Sequence, residues 1–238
     1  MGVKVKICGL TNLADVQAAV AAGADLLGFI FFLQSLRYVT PEKVRGILSA
    51  VEPQRVGVVT VGVFVNESTE IVAQTLDFCG LDVAQLHGEE PPEQLGLHED
   101  IPSSLRGRAY KALRPRSPEE ALALTISYAL PPPLREEGRL PALLLDAYHP
   151  HLRGGTGRTG DWGLAVSLAD QYPLLLAGGL SPDNVAEAVR TVRPWGVDAS
   201  SGVESVPGQK DHAALRTFIA AAKAADRKIV TESIAYEG

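Results

Sequence analysis

Two side chains in this sequence stand where a proton could be taken from, or given to, a reacting atom. Cys8 follows the β-rich run 3–7, and Asp146 follows the apolar run 142–145. A lone cysteine is commonly a small buried apolar residue, and its thiol becomes a base only as the thiolate. A carboxylate at the end of an apolar run needs a partner or a function, with helix capping as the ordinary alternative. Other polar groups end similar runs: Gln85 and His87 in Gln85-Leu86-His87-Gly88, Asp198 before Ser200, and Arg37 two residues after Ser35. Arg37 reads either as a solvated surface arginine or as a planar fork for a carboxylate.

Three glycine-containing turns suggest a different chemistry. They are Gly154-Gly155-Thr156-Gly157, Gly178-Gly179 and Ser200-Ser201-Gly202. Glycine lets backbone N–H groups approach an anion closely, and a helix N-terminus adds positive potential. Any one such pair simply turns a chain. Three of them converging on one mouth would make a phosphate site from Gly155, Gly157, Gly178, Gly179, Ser200, Ser201 and Gly202.

Convergence requires elements that carry these residues to one place. Eight short runs read as strands: 3–7, 26–30, 58–65, 83–86, 109–113, 142–145, 174–177 and 197–199. Most are nearly continuous apolar stretches, as expected of parallel strands covered on both faces. Helix-like segments lie between them, beginning near Asn12, Pro41, Ser68, Pro91, Ser117, Asp161, Ser181 and Lys210. Ser181-Pro182 reads as a capping serine followed by a first-turn proline. Regular alternation with a count of eight predicts an α/β protein, a (β/α)8 TIM barrel, forming a single domain over residues 1–238. Residues 226–238 read as a tail after the eighth helix, with no role assigned. In such a barrel the reacting groups stand where strands end, as the polar residues above do.

Composition removes several classes of function. With 46% hydrophobic and 21% charged residues, the chain can bury a large core. A formal charge of -6 offers no general attraction to nucleic acid or to an anionic membrane. The start MGVKVKICGL lacks the apolar run of a secretory signal, and no segment has 18 consecutive apolar residues, which predicts a cytoplasmic location. Cys8 and Cys79 are read as thiols. No HExxH or CxxC pattern appears, so no metal site and no cofactor is expected.

Lys6-Ile7-Cys8-Gly9-Leu10-Thr11, Ser35-x-Arg37-Tyr38-Val39, Val63-Phe64-Val65-Asn66, the 85–88 block, Leu145-Asp146 with the 154–157 turn, Asp161-Trp162, Gly178-Gly179-Leu180 and Ser200-Ser201-Gly202-Val203-Glu204 with Pro207-Gly208 and Lys210-Asp211 follow one another in a fixed order. Together they resemble the phosphoribosylanthranilate isomerase family over roughly residues 4 to 225. Leu36 and Gly160 depart from that pattern: members often carry lysine or proline beside the arginine, and an aromatic residue before the aspartate.

The resemblance implies a cofactor-free Amadori rearrangement of N-(5-phosphoribosyl)anthranilate, a small-molecule substrate, by a monomer or homodimer. It implies Asp146 as general acid and Cys8 as general base. Arg37, Gln85, His87 and Asp198 become substrate contacts, with Arg37 on the anthranilate carboxylate and the glycine turns on the phosphate. Each proton-transfer group would need tuning, because a free carboxyl near ~3.9 is a weak acid source at neutral pH and a free thiol near ~8.5 is mostly protonated. Burial is expected to raise the first, and Lys6 or backbone donors to lower the second. Rival readings are another phosphate-binding barrel enzyme, such as a sugar-phosphate epimerase or an indole-forming synthase, and a barrel that binds a phosphoribosyl ligand without catalysis. The former would bring metal-binding histidines or an acid lysine, and the latter has no need of both Cys8 and Asp146.

Overall fold

The computed structural model describes residues 2–97, 103–135, 139–146 and 162–236, with side chains to residue 227. Eight parallel strands close into a barrel in sequence order: β1 (Lys4–Ile7), β2 (Leu26–Ile30), β3 (Val59–Phe64), β4 (Val83–Leu86), β5 (Ala109–Leu113), β6 (Leu143–Asp146), β7 (Leu174–Ala177) and β8 (Gly196–Ala199). Each lies within one residue of the run expected from its β-rich character. The barrel closes where β8 pairs with β1, from Lys4 opposite Gly196 to Ile7 opposite Ala199.

Helices α1 (Leu13–Ala22), α2 (Pro41–Val51), α3 (Thr69–Cys79), α4 (Pro118–Tyr128), α5 (Gly163–Ala169), α6 (Val185–Val192) and α7 (His212–Tyr236) form the outer layer. Their starts are chemically specified. Asn12, Thr40, Ser68 and Ser117 each accept a hydrogen bond from a backbone N–H of the first turn, and Pro41 and Pro118 supply the fixed φ of a first helical residue.

The sequence misleads at four places. Among the described residues between β4 and β5 there is no α-helix; a 3-10 turn, Pro92–Leu95, stands there, because Pro91-Pro92 opens it and Gly96, at φ 68°, ends it after four residues. Ser181 does not cap the next helix directly. Its N–H donates to Asn184 Oδ1, and α6 begins only at Val185. The residues read as a tail continue α7 to Tyr236. A two-stranded hairpin, β9 (Glu204–Val206) with β10 (Gln209–Lys210), lies between β8 and α7 where no strand was expected.

Strand alternation divides the barrel wall into two faces. Val5, Ile7, Leu27, Phe29, Leu143, Leu145, Leu174, Leu176 and Val197 are all but fully buried and belong to the face beneath the helices. The other face lines the barrel interior. Paired residues of parallel neighbours share a face, so Lys6 opposite Asp198, and Gln85 opposite Tyr110, place four polar side chains inside. Among the described residues, no helix is long and apolar enough to cross a membrane.

Candidate active site

The same registers decide where the two proton-transfer candidates point. Lys6 faces inward, so Cys8, two residues further along β1, stands on the same side at the carboxyl end of the barrel. Tyr110 faces inward, and the pairings Ala112 with Leu144 and Asp146 with Ala177 carry that face across β5, β6 and β7. Asp146 is therefore an inward-facing carboxylate at the same end, half-buried, while Cys8 is buried. Cys8 fits only because its neighbour on β2 is a glycine: a Cβ on Gly28 would come within 2.8 Å of the Cys8 sulfur.

Beneath them lies a polar layer. Lys6 is fully buried, and its Nζ donates to Asp198 Oδ1 at 3.1 Å and to Gln85 Oε1 at 2.9 Å. The Tyr110 hydroxyl donates to the same Gln85 oxygen at 2.9 Å. These contacts orient the Gln85 amide: an oxygen receiving two donors leaves its NH2 to meet His87 Nδ1 at 2.9 Å. Nδ1 must then be the acceptor, so Nε2 carries the hydrogen. Burial, helped by Arg114, Lys6 and Lys111, pushes the His87 pKa down to about 3. His87 is thus a neutral donor, and its buried Nε2–H has no partner among the described residues.

The expected lowering of the Cys8 pKa is not found. Burial, aided by the Asp198 carboxylate, raises it against Lys6 and Lys210, so the thiol lies above its ordinary value. Desolvation is the largest cause because Cys8 is buried, and the nearby Asp198 charge adds to it against the two cations. For Lys6 the balance goes the other way. Burial opposes its charge, but Asp198, Cys8 and Tyr110 together hold the ammonium above its usual range.

Removing one partner of such a buried pair leaves the other charge without compensation. Lys6→Met is expected to cost about 3–5 kcal/mol of stability, and the double change Lys6→Met/Asp198→Leu should recover much of it. Urea denaturation reads both, as a lowered midpoint at unchanged slope. A loss under about 1 kcal/mol in the single variant would mean that the pair is worth no more than an exposed one.

Arg37, in the loop after β2, reaches over the end of β1 to the segment after β8. A Cβ on Gly9 would lie 2.6 Å from Arg37 Cδ and 3.0 Å from Ser200 Oγ, so the arginine stem runs over the turn that follows Cys8. Its Nε and Nη2 meet the Glu204 carboxylate at 2.8 and 2.7 Å. Lys210 Nζ donates to Glu204 Oε1 at 2.8 Å and to the Ser200 carbonyl at 3.0 Å. Burial works against the charge on Glu204, yet Arg37 and Lys210 hold its carboxyl below the usual range.

Two of the three glycine turns come together. A Cβ on Gly202 would collide with the Leu180 carbonyl, so the turns after β7 and β8 touch, bringing Gly178, Gly179, Ser200, Ser201 and Gly202 into one region. Ser200 Oγ is buried there without a partner among the described residues. Gly155 and Gly157 lie outside the described residues.

Across the barrel mouth from this region a cleft of about 580 Å³ opens between the loops after β3, β4 and β5, lined by Asn66, His87, Arg114, Arg116 and Tyr128 among others. Sequence reasoning passed over the pair that shapes its rim. Glu90, almost wholly buried, accepts from the backbone N–H groups of Asn66 and Gly88, and Lys111 Nζ meets it at 2.5 Å. A lysine within the apolar strand 109–113 was the available signal. Among the described residues, no cluster of His, Cys, Asp and Glu could hold a metal ion.

Comparison with known proteins adds an independent finding. Residues 5–221 match the family described as N-(5'phosphoribosyl)anthranilate (PRA) isomerase. The chain is 47% identical to the N-(5'-phosphoribosyl)anthranilate isomerase of Pelobacter propionicus, over 93% of this chain and 96% of that one. It is similar to the crystal structure of phosphoribosyl anthranilate isomerase from Thermotoga maritima, with a TM-score of 0.76, 39% identity, and coverage of 93% of this chain and 99% of the other. A further solved phosphoribosyl anthranilate isomerase, in complex with reduced 1-(o-carboxyphenylamino)-1-deoxyribulose 5-phosphate, matches with a TM-score of 0.73 and 38% identity over the same shares.

Proposed function

The chain belongs to the N-(5'-phosphoribosyl)anthranilate isomerase family, and on that premise we propose how its residues carry out the reaction. It is an isomerase of tryptophan biosynthesis that converts N-(5-phosphoribosyl)anthranilate to 1-(o-carboxyphenylamino)-1-deoxyribulose 5-phosphate. The observation that supports the division of labour is the register: it turns Cys8, directly after β1, and Asp146, the last residue of β6, inward at one end of the barrel.

Asp146, protonated, gives its proton to the ribose ring oxygen as the C1–O bond breaks, and the nitrogen lone pair forms the C=N bond of an open Schiff base. Cys8, as thiolate, removes the proton from C2. The C–H electrons form C1=C2 and the C=N electrons return to nitrogen, giving an enolamine. Protonation at C1 with loss of the C2 hydroxyl proton yields the ketone. Each positioned proton-transfer group contributes roughly 10²–10⁴-fold. The His87 Nε2–H and the Ser200 hydroxyl are the buried polar groups that substrate oxygens would satisfy, the first on the sugar and the second on the phosphate. Asp198 and Gln85 serve the site from below, Asp198 through Lys6 and Gln85 through both Lys6 and His87. Arg37 takes the anthranilate carboxylate. The enzyme acts in the cytoplasm as a monomer or homodimer and requires no cofactor.

A fluorescence assay of the purified protein tests the activity directly. Consumption of the fluorescent anthranilate adduct is expected, and a preparation that leaves it unchanged would refute the reading. The phosphate region makes a separate prediction. Inorganic phosphate or sulfate should compete with substrate, raising KM at constant kcat, because backbone N–H groups of the turns at 178–179 and 200–202 bind the shared dianion. Purely noncompetitive inhibition would place the anion elsewhere.

A further inference from the structure

The hairpin between β8 and α7 carries two charged residues, Glu204 and Lys210, for which the reaction as written has no use. They stand opposite one another across the two strands. Lys210 is fully buried at its side chain and Glu204 nearly so. Glu204 meets Arg37 along one edge of the guanidinium, through Nε and a single N–H of Nη2. A guanidinium has a second edge of the same fork shape, formed by Nη1 and the remaining N–H of Nη2. Among the described residues nothing is bonded to Nη1.

We propose that Glu204, held in turn by Lys210, is a positioning residue that fixes the plane of Arg37, so that its outer edge meets the carboxylate of the substrate's aromatic ring. This rests on the assignment of that carboxylate to Arg37. The charges support it. Two cations share one carboxylate, so the cluster keeps a single positive charge for an incoming anion. Geometry supports it as well. The stem of Arg37 lies across Gly9, and Lys210 also ties the Ser200 carbonyl, so one hairpin couples the carboxylate subsite to the turns after Cys8 and after β8. The backbone N–H of Lys210 donates to the buried Asp15 at 2.8 Å, which anchors the hairpin to α1 and keeps its lysine from drifting. A guanidinium held on one edge has lost its rotational freedom before substrate arrives, so less of that freedom is given up on binding.

The test compares the normal substrate with the adduct of aniline, which lacks the carboxylate, and reads the ratio of the two kcat/KM values. Arg37→Ala should lower that ratio about 10- to 150-fold. Glu204→Gln, which keeps the shape but faces Arg37 with an amide, should lower it about 10-fold, mostly through KM. In the Arg37→Ala background, Glu204→Gln should add nothing to the ratio. Glu204→Asp should restore part of it. Should the glutamine variant lose its cooperative thermal transition, the aspartate variant is read in its place, with a smaller loss of the ratio expected and again no further loss in the Arg37→Ala background; an unchanged ratio or additive losses overturn the positioning role. An unchanged ratio in the glutamine variant, or additive losses in the double variant, overturns the positioning role while leaving Arg37 in place. An unchanged ratio in Arg37→Ala itself overturns the carboxylate assignment, and the positioning role falls with it.

Discussion

Cys8→Ser is expected to lower kcat by about two or more orders of magnitude while changing KM little. Serine keeps the side chain's size in the gap over Gly28, so substrate still fits, but its hydroxyl is a far weaker base than a thiolate. The loss should also change the shape of the pH profile. Burial pushes the thiol up, against Lys6 and Lys210, so in the unliganded protein the base form is a minor species at neutral pH and grows as pH rises. The kcat/KM of the wild type should therefore climb through the neutral range into the alkaline, and fall as pH drops away from the raised thiol pKa. In the serine variant that limb should vanish. A serine variant with near-normal turnover, or one that keeps the same alkaline rise, would remove Cys8 from the mechanism.

Asp146→Asn is expected to cost about as much, again two or more orders of magnitude in kcat. Asparagine preserves the size and half-buried placement of the side chain at the end of β6 but has no acidic proton to give to the ring oxygen. In the proposed mechanism its effect belongs to ring opening, whereas that of Cys8 belongs to the following proton abstraction. A ligand with an already open chain should distinguish binding from chemistry. The reduced open-chain product should bind the asparagine variant with nearly wild-type affinity, measured by calorimetry. A variant that lost affinity for this ligand in proportion to its lost kcat would assign Asp146 to binding rather than to acid catalysis.

The fold was legible because its signal is local. Runs such as 174–177 and 26–30 are apolar on both faces, which only a doubly covered parallel strand needs, and Asn12, Thr40, Ser68 and Ser117 each mark a helix start by side-chain chemistry. Where the reading failed, a local signal was overridden by its neighbours. Pro91 looked like a helix start, but a second proline and Gly96 left room for one turn. The candidate site was legible as a set of strand-end positions and not as a set of contacts. Cys8, Asp146 and His87 could be named from strand ends, but the tautomer of His87 depends on Lys6, Gln85 and Tyr110, which come from three strands. The role of Lys6 beside Cys8 was open for the same reason: strand alternation gives its face, while the balance between burial and charge depends on what surrounds the sulfur. Glu204 and Lys210 were visible as parts of a pattern, and their use appeared only when both were found against Arg37.

The ion pair beneath the site lies on the seam that closes the barrel. Lys6 and Asp198 are 192 residues apart, on the first and last strands. Contacts of such long range carry the largest loop-closure entropy and reward a folding chain late. Before closure, an ordered block of β1 to β4 can give the lysine its Gln85 partner but no counter-ion. The ammonium therefore stays hydrated until β8 arrives, and burial of the charge coincides with completion of the catalytic end. Partly folded chains should thus be inert rather than weakly active. In refolding followed by pulsed hydrogen exchange, protection of the β1 amides facing β8 and recovery of isomerase activity should share one rate constant, and activity that returned before that protection would break the connection.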